Sequence, residues 1–391
     1  MKKIYSISLL FFSFINIAQP PAGYYSTATG TGYSLKTQLK TIITNGHVDK
    51  GYGAGTNQTN NGLWSAYGLT DRDNGIGYEN DNTIVDIYSE NPTGSDPYNF
   101  NFNTTSGANA GQCGNYSVEG DCYNREHLIP QSYFGHNNSG PKLNKYFIMR
   151  HDIQHVYPTD GEVNNKRNDY AFGKVNVASF TSLNGSKLGS ALNSGYSAGF
   201  TGTVFEPIDE FKGDIARVFF YFATRYEDDM DELYSSYTTV DCRVMFNGSI
   251  DQVFSPTFLN ILLTWHNQDP VSTKEILRNN ACYNHQCNRN PFIDNPSYVT
   301  AIWGAPLSSE SFETATISVY PNPANDNKIN IQTEVDLDEI QLISINGQIM
   351  QQIKKPAANG TNYTLENLPK GFYILKLSSE NQSTIKKIIV N

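Results

Sequence analysis

Beyond residue 307 the chain contains no Cys, His, Trp or Arg, whereas all seven histidines and all five cysteines lie before it. A break of that kind divides the 391 residues into two bodies that must each bury a core of their own, because single cores stop growing at roughly 250–300 residues. After the break come short alternating runs at 316–320, 328–332, 339–345, 363–365, 371–377 and 384–390. Pro321-Asn322-Pro323, Asn346-Gly347, Asn359-Gly360 and Lys370-Gly371 punctuate them as turns. Short strands at this spacing predict a small all-β sandwich over 317–391, joined by a Ser- and Glu-rich linker at 307–316.

The first part reads differently. Leu35, Leu39, Ile42 and Ile43 recur at helical spacing, and Ile215, Val218, Phe219, Phe222 and Tyr226 form an apolar face on a helix expected from Asp209 onward. Further helices are expected at 255–266 and 272–279, and the β-branched run 83–88 predicts a strand. The fold class is therefore α+β over 19–306, followed by the sandwich.

Residues 1–18 place Lys2 and Lys3 before a short apolar run, the pattern of a removable signal peptide. No other stretch is apolar enough for a stable membrane span, so the mature chain is expected outside the cytoplasm, extracellular or on the outer cell surface, as a monomer. Export favours disulfides. Cys113 with Cys122, and Cys282 with Cys287, are close enough in sequence to close small rings, with Cys242 left over. Cys282, His285 and Cys287 also read as three metal ligands, one short of a tetrahedral zinc shell, and connectivity stays open.

The formal charge of −10 argues against a broad basic platform for a polyanion. It is unevenly spread, however. Residues 122–175 hold seven basic and five acidic residues, a local +2, together with His127, His136, His151 and His155. Within that window Glu126 and His127 are neighbours, and strand neighbours share a site only at a strand end or bulge. Pro130 makes a strand end the expected case. Taken alone, Glu126 would pair with Arg125 or Lys145 and His127 would be a core histidine. The second segment shifts that balance. An extended run ends at Val156-Tyr157-Pro158, Asp160-Gly161 turns and caps, and a short helix from about Glu162 is expected to carry Asn164, Asn165, Lys166, Arg167 and Asn168 into one cleft. A carboxylate and an amide oxygen suit a hard cation, a neutral imidazole suits proton abstraction, and Lys or Arg suits phosphate.

Asn124-Arg125-Glu126-His127 with Pro130-Gln131-Ser132, then Asp152, His155, Pro158, Gly161-Glu162-Val163-Asn164 and Arg167, resembles the bacterial endonuclease I family of secreted or periplasmic non-specific nucleases. Residues 211–217, 265–271 and 288–294 carry the same resemblance, which covers roughly 23–304. It implies a ββα-metal (His-Me finger) nuclease. His127 falls at the general base, Glu126 and Asn164 at the metal ligands, and Arg167 and Arg150 are the candidates for the substrate phosphate. Mg²⁺ is the implied cofactor, with Ca²⁺ or Mn²⁺ as alternatives. The implied substrate is DNA, with RNA as a second, cut to 5′-phosphate and 3′-hydroxyl ends. Gln154 stands where many relatives have histidine, and the loop after His127 is rebuilt; an inactive secreted surface protein retaining the nuclease fold is the competing reading. The tail, with Val319-Tyr320-Pro321-Asn322-Pro323-Ala324 and Gly371-Phe372-Tyr373-Ile374-Leu375-Lys376, resembles the C-terminal sorting domain of type IX secretion cargo, which implies the type IX secretion machinery as a partner.

Overall fold

A computed structural model describes residues 20–53, 62–74, 78–102, 111–112, 114–135, 145–304, 317–333, 336–344, 348–379 and 382–391. The expected signal peptide and linker, Cys113 and His136 lie outside them. The chain forms two compact units, one reaching Trp303 and one beginning at Gly304.

The first unit is built around the helix Lys212–Arg225. The sequence suggests one apolar face, yet nearly every residue of this helix is buried. Its cations are buried too, because each finds a partner. Arg217 donates to both Glu275 carboxylate oxygens at 2.6 Å. Arg225 lies 3.2 Å from the Asp152 carboxylate and donates to the Ile43 carbonyl at 2.6 Å. The expected helices around it form, as Gly32–Thr44, Pro256–Gln268 and Thr273–Gln286. The last runs further than expected; it begins with a Ser272/Glu275 capping box and ends with Cys287 in the left-handed conformation.

Two expectations are corrected here, and one sheet is added. Residues 83–88 are not a strand: Ile84 makes only an isolated bridge to Arg72, and the Asp86 side chain accepts the Tyr88 amide and turns the chain. Cys282 and Cys287 are free thiols. The helix holds Cys282 in the core, near the Arg278 guanidinium, while Cys287 at the helix end is exposed. A four-stranded sheet with the order Ala171–Phe172, Thr203–Glu206, Lys187–Ala191, Val175–Thr181 was not expected at all. Most of Val175–Thr181 faces solvent, so the strand lacks the alternation that sequence reading depends on.

Asp152, buried completely, is a hub of this unit. It accepts from Tyr221 (2.8 Å), Tyr226 (2.9 Å) and Gln286 (2.6 Å). Burial alone would raise its pKa, but the Arg225 guanidinium, followed by His155 and His47, outweighs burial and holds the carboxyl at about 2. The ordinary value is near 3.9, so the stability this group contributes is complete above that pH and is lost as pH falls through about 2. The expected outcome is that urea midpoints measured at pH 5, 3 and 2 show a loss of roughly 2 kcal/mol in the parent that is missing from Asp152→Asn. Equal acid sensitivity in both proteins would contradict the assignment.

The second unit is all antiparallel. One sheet orders Ile349–Lys354, Glu339–Ser344, Gly371–Ser379 and Gln382–Val390; the other orders Asn362–Leu365, Ile329–Gln332 and Ser318–Tyr320. Alternate residues such as Ile329, Ile331, Ile340, Leu342, Leu375 and Leu377 form its core. Ile349–Lys354 went unread in the sequence because it is an edge strand whose Ile349 and Met350 point to solvent. Among the described residues no helix is long and apolar enough to cross a membrane.

Candidate functional site

The strand Cys122–His127 ends on the two residues of interest and lies antiparallel to Val156–Asp160, with Glu126 opposite Tyr157 and His127 opposite Val156. A two-residue strand, Gly111–Gln112, runs parallel on its other side. Asp160 then caps the helix Gly161–Arg167, accepting the Val163 amide at 2.8 Å, as its sequence suggests. Its other oxygen accepts the Gly120 amide at 2.8 Å, so one carboxylate ties the helix to the loop entering the first strand. Gly161 allows close packing there: a Cβ would sit 2.4 Å from the Tyr116 ring. Strand, strand and helix enclose a cavity of about 220 Å³, lined among others by Glu126, His127, Gln131, Asn164, Asn165, Arg167 and Asn168.

His127 is buried, and its Nε2 lies 3.1 Å from the Arg150 carbonyl oxygen. A carbonyl only accepts, so Nε2 carries the proton and Nδ1 is the basic nitrogen. Nδ1 is buried with no partner of its own. Burial, then His155, whose ring centroid is 5.7 Å away, and the Arg125 and Arg150 cations push the imidazole well below its ordinary value. The ring is therefore neutral at neutral pH, as a proton acceptor must be.

Glu126 is 1% exposed. Its Oε1 accepts from the Tyr88 hydroxyl at 2.7 Å and lies 3.1 Å from the Arg167 guanidinium. Burial raises this carboxyl, while Arg167 and Tyr88 act in the opposite sense. Its partner is thus Arg167, not Arg125 or Lys145; Lys145 pairs instead with Asp229 at 2.9 Å. Glu126 and Asn164 both line the cavity, and a carboxylate with an amide oxygen is the kind of hard donor pair that suits a divalent cation such as Mg²⁺ or Ca²⁺.

Arg167 is where the structure departs most from expectation. It is buried and donates to the carbonyls of His127 at 2.9 Å and Leu128 at 2.6 Å, besides facing Glu126. Its Nη1 and Nη2 are thus committed inward while Nε is buried without a partner, so the guanidinium stands as an internal counter-ion of Glu126 on the cavity wall. Lys166 likewise does not enter the cleft: it pairs with Glu162 at 3.0 Å on the outer face, since five consecutive helical residues cannot share one side. Arg150 stays beside the cavity, partly exposed. Its guanidinium lies 3.6 Å over the Tyr52 ring, and its Nε donates to Gln131 at 2.9 Å.

Gln154 donates to Asn279 at 3.1 Å, and Arg289 is locked to Asp294 at 2.6 Å, both in the interior. Sequence reading missed Tyr88 and Asp86. Tyr88 holds Glu126, and Asp86 accepts the Asp160 amide at 2.8 Å. The signal was an Asp two residues before a Tyr in a Gly/Asn-poor interval, and strand propensity masked it.

The family model described as Endonuclease I matches residues 31–297, and that described as a secretion system C-terminal sorting domain matches residues 318–391. An extracellular ribonuclease of Bacillus amyloliquefaciens is 32% identical over 286 residues, spanning 72% of this chain and 78% of the relative. An extracellular ribonuclease of Bacillus subtilis is 30% identical over 303 residues, 74% of this chain and 84% of the relative. A solved PorZ chain, a surface component of the type IX secretion system of Porphyromonas gingivalis, covers 22% of this chain at 15% identity and a TM-score of 0.18, a likeness too slight to carry a fold. On these matches, and with a histidine, a carboxylate and an amide gathered on one strand–strand–helix cavity, the chain belongs to the endonuclease I family and is a secreted nuclease bearing a type IX sorting domain.

Proposed function

We propose that this protein hydrolyses phosphodiester bonds of both DNA and RNA without sequence preference, with His127 as general base and a divalent cation, Mg²⁺ first, held by Glu126 and Asn164. The observation that carries the reading is the state of His127: its Nε2 proton is committed to the Arg150 carbonyl, and its unpartnered Nδ1 belongs to a side chain of the same cavity as the two oxygen donors. Nδ1 takes the proton of a water attacking phosphorus in line, and the protonated ring keeps its donation to the carbonyl. A hard divalent cation at Glu126 and Asn164 supplies charge stabilisation at the phosphoryl and leaving oxygens. Tyr88 and Arg167 hold the Glu126 carboxylate in place, and Arg150 stands at the rim to meet a phosphate. The product ends are a 5′-phosphate and a 3′-hydroxyl.

RNA is included because both curated relatives are named extracellular ribonucleases. DNA is included because the polar side chains of the cavity wall suit phosphate chemistry and not the reading of a base or a 2′-hydroxyl. Stripping the full-length mature chain with EDTA is expected to abolish cutting of plasmid DNA and of single-stranded RNA alike, and Mg²⁺ is expected to restore both. End-labelling of the products distinguishes 5′-phosphate from 5′-hydroxyl. Cutting that persists in excess EDTA, or ends of the opposite kind, would sink the mechanism.

A further inference from the structure

A second group of carboxylates lies in the first unit, outside the nuclease cavity. Ligand oxygens of Glu79, Glu90 and Asp96 lie within 4.8 Å of one another. Three features set this apart from an ordinary acidic surface. Glu90 is 1% exposed, and its Oε1 is buried without a hydrogen-bond partner. Among the described residues no Lys or Arg forms an ion pair with any of the three. Instead the nearest charged neighbours add to the problem: burial first, then Asp96, Glu79 and the more distant Asp73, push the Glu90 carboxyl up to about 10, and Asp96 is raised to about 7 by burial and by Glu79 and Asp81. A buried carboxylate in such company stays unpaired only at a cost of several kcal/mol.

We propose that Glu79, Glu90 and Asp96 bind a divalent cation, Ca²⁺ by its chemistry, at a structural site separate from the nuclease cleft. The donors are all hard oxygens, which excludes a soft-metal preference. Oxygens no more than 4.8 Å apart can be reached together by a cation that sits about 2.3–2.6 Å from each, and Ca²⁺ accepts such carboxylate sets in flexible geometry, whereas Mg²⁺ demands a near-ideal octahedron. Asp96 is already oriented for this: its Oδ1 accepts the Asn91 amide at 2.6 Å, and its own amide donates to Glu79 at 3.1 Å.

The placement gives the site a purpose. Glu79 and Asp96 bracket a loop that contains Asp86 and Tyr88, the residues that hold Asp160 and Glu126. A cation joining the loop's two ends to the buried Glu90 between them would staple that support in place. The inference does not depend on the nuclease mechanism.

The test uses the full-length mature chain, stripped with chelator and returned to Ca²⁺ alone, with bound Ca²⁺ counted by equilibrium dialysis and Tm followed by calorimetry. Glu79→Gln, Glu90→Gln and, as a control in the nuclease cleft, Asn164→Ala are compared with the parent. The expected result is that Glu79→Gln and Glu90→Gln each bind one Ca²⁺ fewer than the parent. Both are also expected to lose a Ca²⁺-dependent rise in Tm of roughly 5 °C or more at a hundredfold excess over Kd, while Asn164→Ala keeps it. Glu79 is exposed, so its variant remains informative if Glu90→Gln does not fold. The proposal is overturned if both Gln variants bind as much Ca²⁺ as the parent, if the Tm rise disappears only in Asn164→Ala, or if the parent shows no rise and the three carboxyls merely share a proton.

Discussion

His127→Ala is expected to lower the rate of phosphodiester hydrolysis by roughly 10²–10⁴-fold on DNA and RNA alike, with little change in the affinity for either. In the proposed mechanism the ring acts only through Nδ1, so the substitution removes the proton acceptor and leaves Glu126 and Asn164 in place. Single-turnover rates against nuclease-resistant competitor binding separate the two effects. Circular dichroism and a urea midpoint within about 1–2 kcal/mol of the parent would show that the strand end is intact. A variant that cuts within threefold of the parent would remove His127 from the mechanism.

Arg167→Met should produce the largest loss of stability, about 3–5 kcal/mol, read as a shift in the urea midpoint of the first unit. The guanidinium and the Glu126 carboxylate are both at least 98% buried, and the same cation serves two main-chain carbonyls at the end of the strand. Removing it strands a buried negative charge and two acceptors. The double variant Arg167→Met with Glu126→Gln should recover part of that loss, since the unpaired charge goes with it. If Arg167→Met loses less than about 1 kcal/mol, the internal counter-ion role is wrong.

What could be seen in the sequence follows from range. The strand end at His127, the Asp160 cap and the helix Gly161–Arg167 are decided by residues within a few positions of one another, and all three form as their sequence suggests. The strands of the second unit were equally legible, except at its edge, where Ile349–Lys354 does not alternate against a core. The partners of Glu126 were another matter. Tyr88 and Arg167 stand 38 and 41 positions away on either side, and nothing local marks either as pointing inward. Arg167 was legible only in part: a cation on a short helix beside a phosphate site reads as a ligand, and only packing shows that its two terminal nitrogens are held by main-chain carbonyls. The Thr83–Tyr88 interval misled in the opposite direction, because β-branched residues suggested a strand where the Asp86 carboxylate imposes a turn.

One contact described above bears on how such a site persists through sequence change. The proton on His127 Nε2 is given to a main-chain oxygen, that of Arg150, at 3.1 Å. No substitution at position 150 other than one that displaces the backbone can delete that acceptor. The tautomer of the proposed general base is thus insulated from genetic drift at the residue that sets it, and the side chain there is left at liberty to change with the polymer being cut. A survey of alanine variants would report position 150 only through its guanidinium, and the contact that orients the base would go unnoticed.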